Sequence, residues 1–339
     1  MEKNTFDPKI IAYYLPQYHP IPQNDEWHSK GFTEWTNVAM AKPQFRGHLQ
    51  PRVPADLGFY DLRVPETRKA QAELAKKAGI SAFCYYHYWF GDGKMLLERP
   101  LEEVVKSGEP DFPFCICWAN HSWYKKNWNP QTQQKDNKLL IEQRYSDEDM
   151  VNHFNYLLPM FKDERYFKVD GKPLFSIYNI SDIPDFEKMK SVWNTLAKEN
   201  GLPEFYFISM TKKPSSVNTA AWSKTDGVIL ELTSRILGTE TRFQHWWRAM
   251  MTKLFKRPRY LYSYSEAIPY FVDKVCSDER VLPVLVPNWD YTPRLGPGGL
   301  ILKDSTPELF KKHAKQVLEY VVNKPAEKQL VFLKSWNEW

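Results

Sequence analysis

The chain has 339 residues, with 46 basic and 41 acidic side chains, a formal net charge of +5, and an aromatic set of 13 Trp, 19 Tyr and 20 Phe. That aromatic content excludes disorder, and charge of both signs without a like-signed run gives no reason to expect a nucleic-acid partner. No apolar stretch approaches the roughly 20 residues of a bilayer span, so the expectation is a soluble, cytoplasmic protein with at most peripheral membrane contact.

Eight short apolar runs follow one another along the chain, at 10–15, 80–89, 114–118, 173–179, 204–210, 227–232, 281–290 and 330–339. Runs this continuous suit strands buried on both faces, as in a parallel sheet covered by helices. Helical segments separate them. Residues 66–78 are helix formers that stop at Gly79, residues 185–200 stop at Gly201, and Thr306-Pro307 opens a third helix with a capping residue and proline at its first position. Strands alternating with helices predict βα units. Eight of them predict an α/β fold of the (β/α)8 TIM-barrel type, a single domain over residues 1–339. A doubly wound sheet would need a Gly-rich turn after the first strand, where Pro16-Gln17-Tyr18-His19-Pro20 stands instead.

In such a barrel, chemistry sits at the carboxyl ends of the strands. Those ends bring Tyr14, Gln17 and, in a long first loop, Glu34 and Trp35; then His87 and Trp89; then Trp118, Asn120, His121 and Trp123, with Lys125, Lys126 and Trp128 close behind. Later ends bring Tyr178, Glu231, Trp289, Asp290 and Arg294, and the last brings Trp336, Asn337, Glu338 and Trp339. Aromatic faces stack on the C–H faces of sugars, while amides, carboxylates, imidazoles and guanidinium pair with hydroxyls. The mixture predicts an oligosaccharide, or a glycosyl donor and acceptor, as the partner.

Other chemistries are less well served. Cys84, Cys115, Cys117 and Cys276 have neither zinc nor disulfide spacing and are expected to be buried thiols. His19, His28, His87 and His121 lack helical metal spacing, so no metal and no cofactor is expected. No Gly-x-Ser-x-Gly elbow is present. Glu231, Asp290 and Glu338 fit acid–base or nucleophilic work on a glycosidic bond. Glu338 stands out because it lies between two tryptophans, where desolvation would raise its pKa.

The segments IIAYYLPQYHPIPQND, GFTEWTNV, YYHYWF with LLERPLEEV, CWAN, NWDYTPR and WNEW resemble the WbsX family of polysaccharide-biosynthesis proteins, related to glycoside hydrolase family 99. The resemblance runs from about residue 10 to the end. It implies a (β/α)8 barrel working on sugars in bacterial O-antigen or capsule assembly, transferring or cleaving a glycosyl unit. The family 99 enzymes act inside α-mannose chains without a metal, through a motif of the form Asn-Glu-Trp-x-Glu. By that match Glu338 is the base assisting the sugar 2-hydroxyl, and Asn337 orients it or the substrate. The second Glu, the general acid, would fall beyond Trp339, and the barrel's last helix would follow it; Glu34 and Glu231 are the nearest substitutes for the acid. His121 stands where many relatives carry an acidic residue. The substrate-binding set is then Tyr14, Gln17, Trp35, His87, Trp89, Trp118, Asn120, His121, Trp289, Asp290, Arg294 and Trp336, with Trp35, Trp89, Trp118, Trp289 and Tyr14 as stacking walls. A non-catalytic glycan-binding barrel is the alternative.

Overall fold

A computed structural model describes residues 6–124, 138–255 and 257–338, with the backbone alone of 128–129 and 134–135. All eight apolar runs form strands: β1 (Lys9–Tyr14), β2 (Ala82–Trp89), β3 (Phe114–Trp118), β4 (Lys172–Ile177), β5 (Tyr206–Thr211), β6 (Gly227–Leu230), β7 (Val281–Leu285) and β8 (Leu330–Leu333). Each pairs in parallel with the next, and β1 pairs with both β2 and β8, closing the sheet into a barrel. At the seam Lys9 lies opposite Leu330 and Ala12 opposite Leu333.

The crossovers explain where the strands begin and end. Helix Pro65–Lys77 stops as Gly79 turns with φ of 77°, so β2 starts at Ala82 and not at Ile80, whose N–H closes the helix onto the Ala75 carbonyl. Asp185 and Thr306 cap helices Phe186–Glu199 and Pro307–Val321 through bonds from the Lys188 and Leu309 amides. Helices Arg99–Ser107 and Asp147–Phe161 complete the crossovers into β3 and β4. Between β5 and β6 there is no α-helix; two 3₁₀ turns, Pro214–Ser216 and Trp222–Lys224, carry the chain across. The β6–β7 crossover is an excursion holding helix Arg242–Phe255 and a strand, Tyr260–Ser263, which pairs with Leu300–Lys303 from the β7–β8 crossover.

Two strands are shorter than their apolar runs. β7 stops at Leu285, ahead of Pro287, which has no N–H to donate. β8 stops at Leu333, after which alternate amides reach different neighbours: Lys334 N–H goes to the Leu285 carbonyl and Trp336 N–H to the Tyr13 carbonyl. Trp336, Asn337 and Glu338 therefore lie on the barrel's rim as a loop.

The core has two layers set by the alternation of side chains along each strand. Tyr13, stacked on Tyr86 at 5.2 Å and packed on Phe332, fills the barrel, where Cys84 also meets Cys115 and Cys117. The intervening residues, such as Phe83, Tyr85, Phe114 and Phe175, pack against the helices. All four cysteines are buried and unbridged. Among the described residues no helix is long and apolar enough to cross a membrane, and no group of three or more His, Cys, Asp or Glu is placed to hold a metal ion.

Candidate active site

A cavity of about 500 Å³ opens at the carboxyl ends of the strands. Its depth is lined by Tyr86, Tyr88, Tyr178, Met210 and Glu231 from the strand ends, and its walls by loop residues including Gln17, Glu34, His121, Trp123, Trp289, Tyr291, Arg294, Lys334 and Glu338.

Arg294 organises one wall. It sits in the short helix Thr292–Leu295 after β7 and donates through Nη2 to Glu34 Oε1 at 2.8 Å and through Nη1 to Glu338 Oε1 at 3.0 Å. Burial opposes its charge, but the two carboxylates beside it outweigh that and hold its pKa well above the ordinary value. Glu34 occupies the first turn of helix Glu34–Met40, which Thr33 opens with a capping box. Its N–H is bound to the Gln17 carbonyl at 2.9 Å, and Asn37, one turn on, donates to Glu34 Oε2 at 3.1 Å. Glu338 is fixed by its own N–H donating to Ser335 Oγ at 3.1 Å.

A second ion pair lies across the cavity. Glu231 follows β6, accepts from the Thr233 amide at 2.8 Å and faces the Lys334 ammonium at 3.4 Å. Burial works against ionisation of Glu231, yet Lys334, Lys212 and the bonds from Thr233 together hold its carboxyl below the ordinary range. Lys334 also lies 4.2 Å above the Trp289 ring. Burial leaves the phenols of Tyr86, Tyr88 and Tyr178 protonated, that of Tyr178 pushed up to about 12, so they act as hydroxyl donors at neutral pH.

The cavity thus gathers Gln17, His121, Trp289, Arg294 and Glu338 from the expected set. Others point elsewhere, for reasons of strand parity. Tyr14 is buried behind β1 and donates to Gln71 of helix Pro65–Lys77. His87 shares a 3.0 Å hydrogen bond with His153 of helix Asp147–Phe161, and burial drives its pKa down to about 3. Trp89 donates to Asp149 of the same helix at 2.9 Å, and Trp118 donates to the Trp89 carbonyl at 2.8 Å. These four fill the layer between sheet and helices and form no wall of the cavity.

Three more act as staples. Asn120, fully buried, donates to the Asn179 carbonyl at 2.7 Å and accepts from its amide at 2.9 Å, tying the β3 end to the β4 end. Asp290, also fully buried, accepts from His48 at 2.8 Å, Gln50 at 2.6 Å and Thr292 Oγ1 at 2.7 Å. Burial would raise its pKa, but bonds from Thr292, His48 and Gln50 bring it below the ordinary value, and it anchors the turn that presents Arg294. Asn337 brackets Leu15, accepting from its amide at 2.7 Å and donating to its carbonyl at 2.9 Å.

Trp35, Trp336 and Asn337 face a separate cavity of about 330 Å³ on the barrel's flank, which Glu338 also borders. Trp336 packs on Phe83 with ring centroids 5.2 Å apart, and Glu338 lies against the Arg294 guanidinium. Trp339, Lys125, Lys126 and Trp128 lie outside the residues whose side chains are described.

Trp123, Tyr88, Tyr178 and Tyr291 supply the aromatic surface that Tyr14, Trp35, Trp89 and Trp118 do not; Trp123 is braced edge-on by Tyr88 and Phe90. Lys212, Lys334 and Tyr260 had no motif to mark them. For Lys334 the signal is its register, two residues beyond the inward-facing Phe332.

Comparison with known proteins places this architecture. Over 99% of its length the chain is 31% identical to the uncharacterized protein WxcX of Xanthomonas campestris pv. campestris strain ATCC 33913, and 32% identical to that of strain B100. The matches take in 46% of each relative, so the chain spans less than half the length of these curated relatives. The fold is similar to that of a family 99 endo-alpha-mannosidase from Bacteroides thetaiotaomicron solved with bis-tris-propane, with a TM-score of 0.58 and 16% identity over 99% of this chain and 85% of that one. A glycoside hydrolase-like protein aligns with a TM-score of 0.55 and 14% identity over 99% of this chain and 86% of that chain. Residues 10–339 match the family described as Glycosyltransferase WbsX, and the chain belongs to that family.

Proposed function

We propose that this chain is a carbohydrate-active enzyme that transfers or cleaves a glycosyl unit in the barrel-mouth cavity, with Glu338 as the carboxylate that acts on the sugar. The observation that carries the reading is the placement of Glu338. It borders the cavity at the carboxyl end of β8, across from tyrosine hydroxyls and aromatic faces suited to a pyranose.

Glu338 presents its carboxylate to the cavity, where it can take a proton from the sugar 2-hydroxyl, and Arg294 holds it in place. Glu34 is bound to the other amino group of the same guanidinium and is the second carboxylate on that wall. Glu231 does not fit the acid's part, because Lys334 and Lys212 keep its carboxyl ionised. The likeness to the endo-alpha-mannosidase barrel makes α-mannosides the first substrates to offer.

One observation favours a second reading, a glycan-binding barrel without turnover. Each of the three carboxylates lining the cavity among the described residues already has a cationic partner. The deciding experiment incubates the protein with α-mannosides and isolated polysaccharide repeat units in 18O-labelled water, followed by mass spectrometry. Label in a new reducing end means hydrolysis, and an unlabelled lengthened glycan means transfer. Glycan binding with neither product would leave the binding reading standing and the enzyme reading refuted.

A further inference from the structure

Helix Arg242–Phe255 in the β6–β7 excursion is amphipathic with its faces reversed. At about 100° per residue, Phe243, Trp246, Trp247, Met250 and Leu254 fall on one side. A surface helix ordinarily turns such a stripe inward. Here Phe243 is 68% exposed, Trp246 59%, Trp247 46% and Leu254 63%. The polar side meets the protein instead: Arg248 Nε is 2.6 Å from Glu240 and its guanidinium lies 4.9 Å from the Tyr262 ring, while His245 Nδ1 is 3.3 Å from Glu240. No residue of this helix is buried.

Between Glu240, which pairs with Arg248 and His245 on the helix's other side, and Glu266, the sequence is charged with one sign. Residues 241–265 include no Asp or Glu but carry Arg242, Arg248, Lys253, Lys256, Arg257 and Arg259. Arg242 and Lys253, three turns apart, flank one edge of the apolar face. A second copy docked stripe to stripe would set these cations against their own kind. A partner presenting both an apolar interior and negative charge satisfies both halves of the surface. An anionic bilayer does this, taking aromatic and Leu side chains at the headgroup boundary and Lys and Arg at its phosphates.

We infer that helix Arg242–Phe255 is a docking surface for an anionic phospholipid bilayer. Its placement gives the contact a use. The helix leads into strand Tyr260–Ser263, which pairs with Leu300–Lys303, and both Tyr260 and Leu300 line the cavity. The docking surface is therefore built into the rim of the cavity.

The test is co-sedimentation of the whole chain with phosphatidylcholine vesicles, with and without a quarter of phosphatidylglycerol. The chain binds the anionic vesicles at least about ten-fold more tightly, and salt weakens the binding. Trp246→Ser with Trp247→Ser, and separately Arg242→Glu with Lys253→Glu, each weaken it by at least about ten-fold. Both variants keep the far-UV circular dichroism and melting temperature of the parent, since the altered side chains are exposed. Equal binding to both vesicle types, no binding, or binding that survives both variants overturns the proposal. An oligomer in sedimentation velocity that the tryptophan variant dissolves, without vesicle binding by the parent, overturns it in favour of a second copy.

Discussion

Arg294 donates to Glu34 from one amino group and to Glu338 from the other, so removing its guanidinium leaves two carboxylates facing each other in the cavity wall. Arg294→Met is expected to lower turnover by about 10²–10³-fold, as the loss of a positioned charge does. Because the guanidinium is partly exposed, the stability cost is about 1–3 kcal/mol, below that of a fully buried pair. Steady-state kinetics and urea unfolding of the same variant read both. Glu231 supplies a pH-dependent contribution. Its carboxyl sits below the ordinary value in the folded chain and returns to it on unfolding, so between the two the unfolded state binds more protons. The stabilisation is complete above the ordinary carboxylate range and is lost as pH falls through the folded value. Glu231→Gln should therefore destabilise by about 1–3 kcal/mol at pH 7, with the gap to the parent closing in urea titrations as the pH falls below the ordinary carboxylate range.

At the level of the strand, β2 shows why the barrel was legible in the sequence while most of the cavity's lining was not. Its continuous run AFCYYHYW marks a strand buried on both faces. The same continuity hides which face looks inward, since both faces are apolar and aromatic. Tyr86 and Tyr88 reach the cavity, whereas His87 and Trp89 meet helix Asp147–Phe161. The buried polar groups His87 and Asn120 are paired with other protein groups. The parity assignment is testable. Tyr14→Phe removes only the bond to Gln71, so it should cost about 1 kcal/mol in urea unfolding and leave turnover unchanged. Trp123→Ala, inside the cavity, should raise KM by roughly 3–10-fold, in line with the worth of an aromatic contact. A KM change in the first variant and none in the second would reverse the assignment.

The whole barrel depends on a seam between chain segments more than 300 residues apart. Beyond the β1–β8 ladder, Asn337 satisfies both backbone groups of Leu15, and Tyr18 donates to the Asn337 carbonyl. Asn337→Ala should cost about 2 kcal/mol and lower activity with it, because the residue beside Glu338 loses its anchor. This scale also separates what motifs tell from what they leave out. WNEW and NWDYTPR identify Glu338 and Arg294, but their convergence with Glu34, 260 residues from Arg294 in sequence, appears only once the barrel closes. Helix Arg242–Phe255 went unread for the opposite reason, since its outward apolar stripe breaks the rule by which amphipathic patterns are assigned to a core.

The most direct test of the account is Glu338→Gln, assayed for turnover and for glycan binding on one substrate that the parent converts. Turnover should fall by at least about 10³-fold while the glycan dissociation constant moves by less than about three-fold, because the amide keeps the shape of the wall and an oxygen for Arg294 but loses the carboxylate's charge and its capacity to take a proton. Turnover within about ten-fold of the parent would contradict the assignment of the chemistry to Glu338 and to the cavity around it.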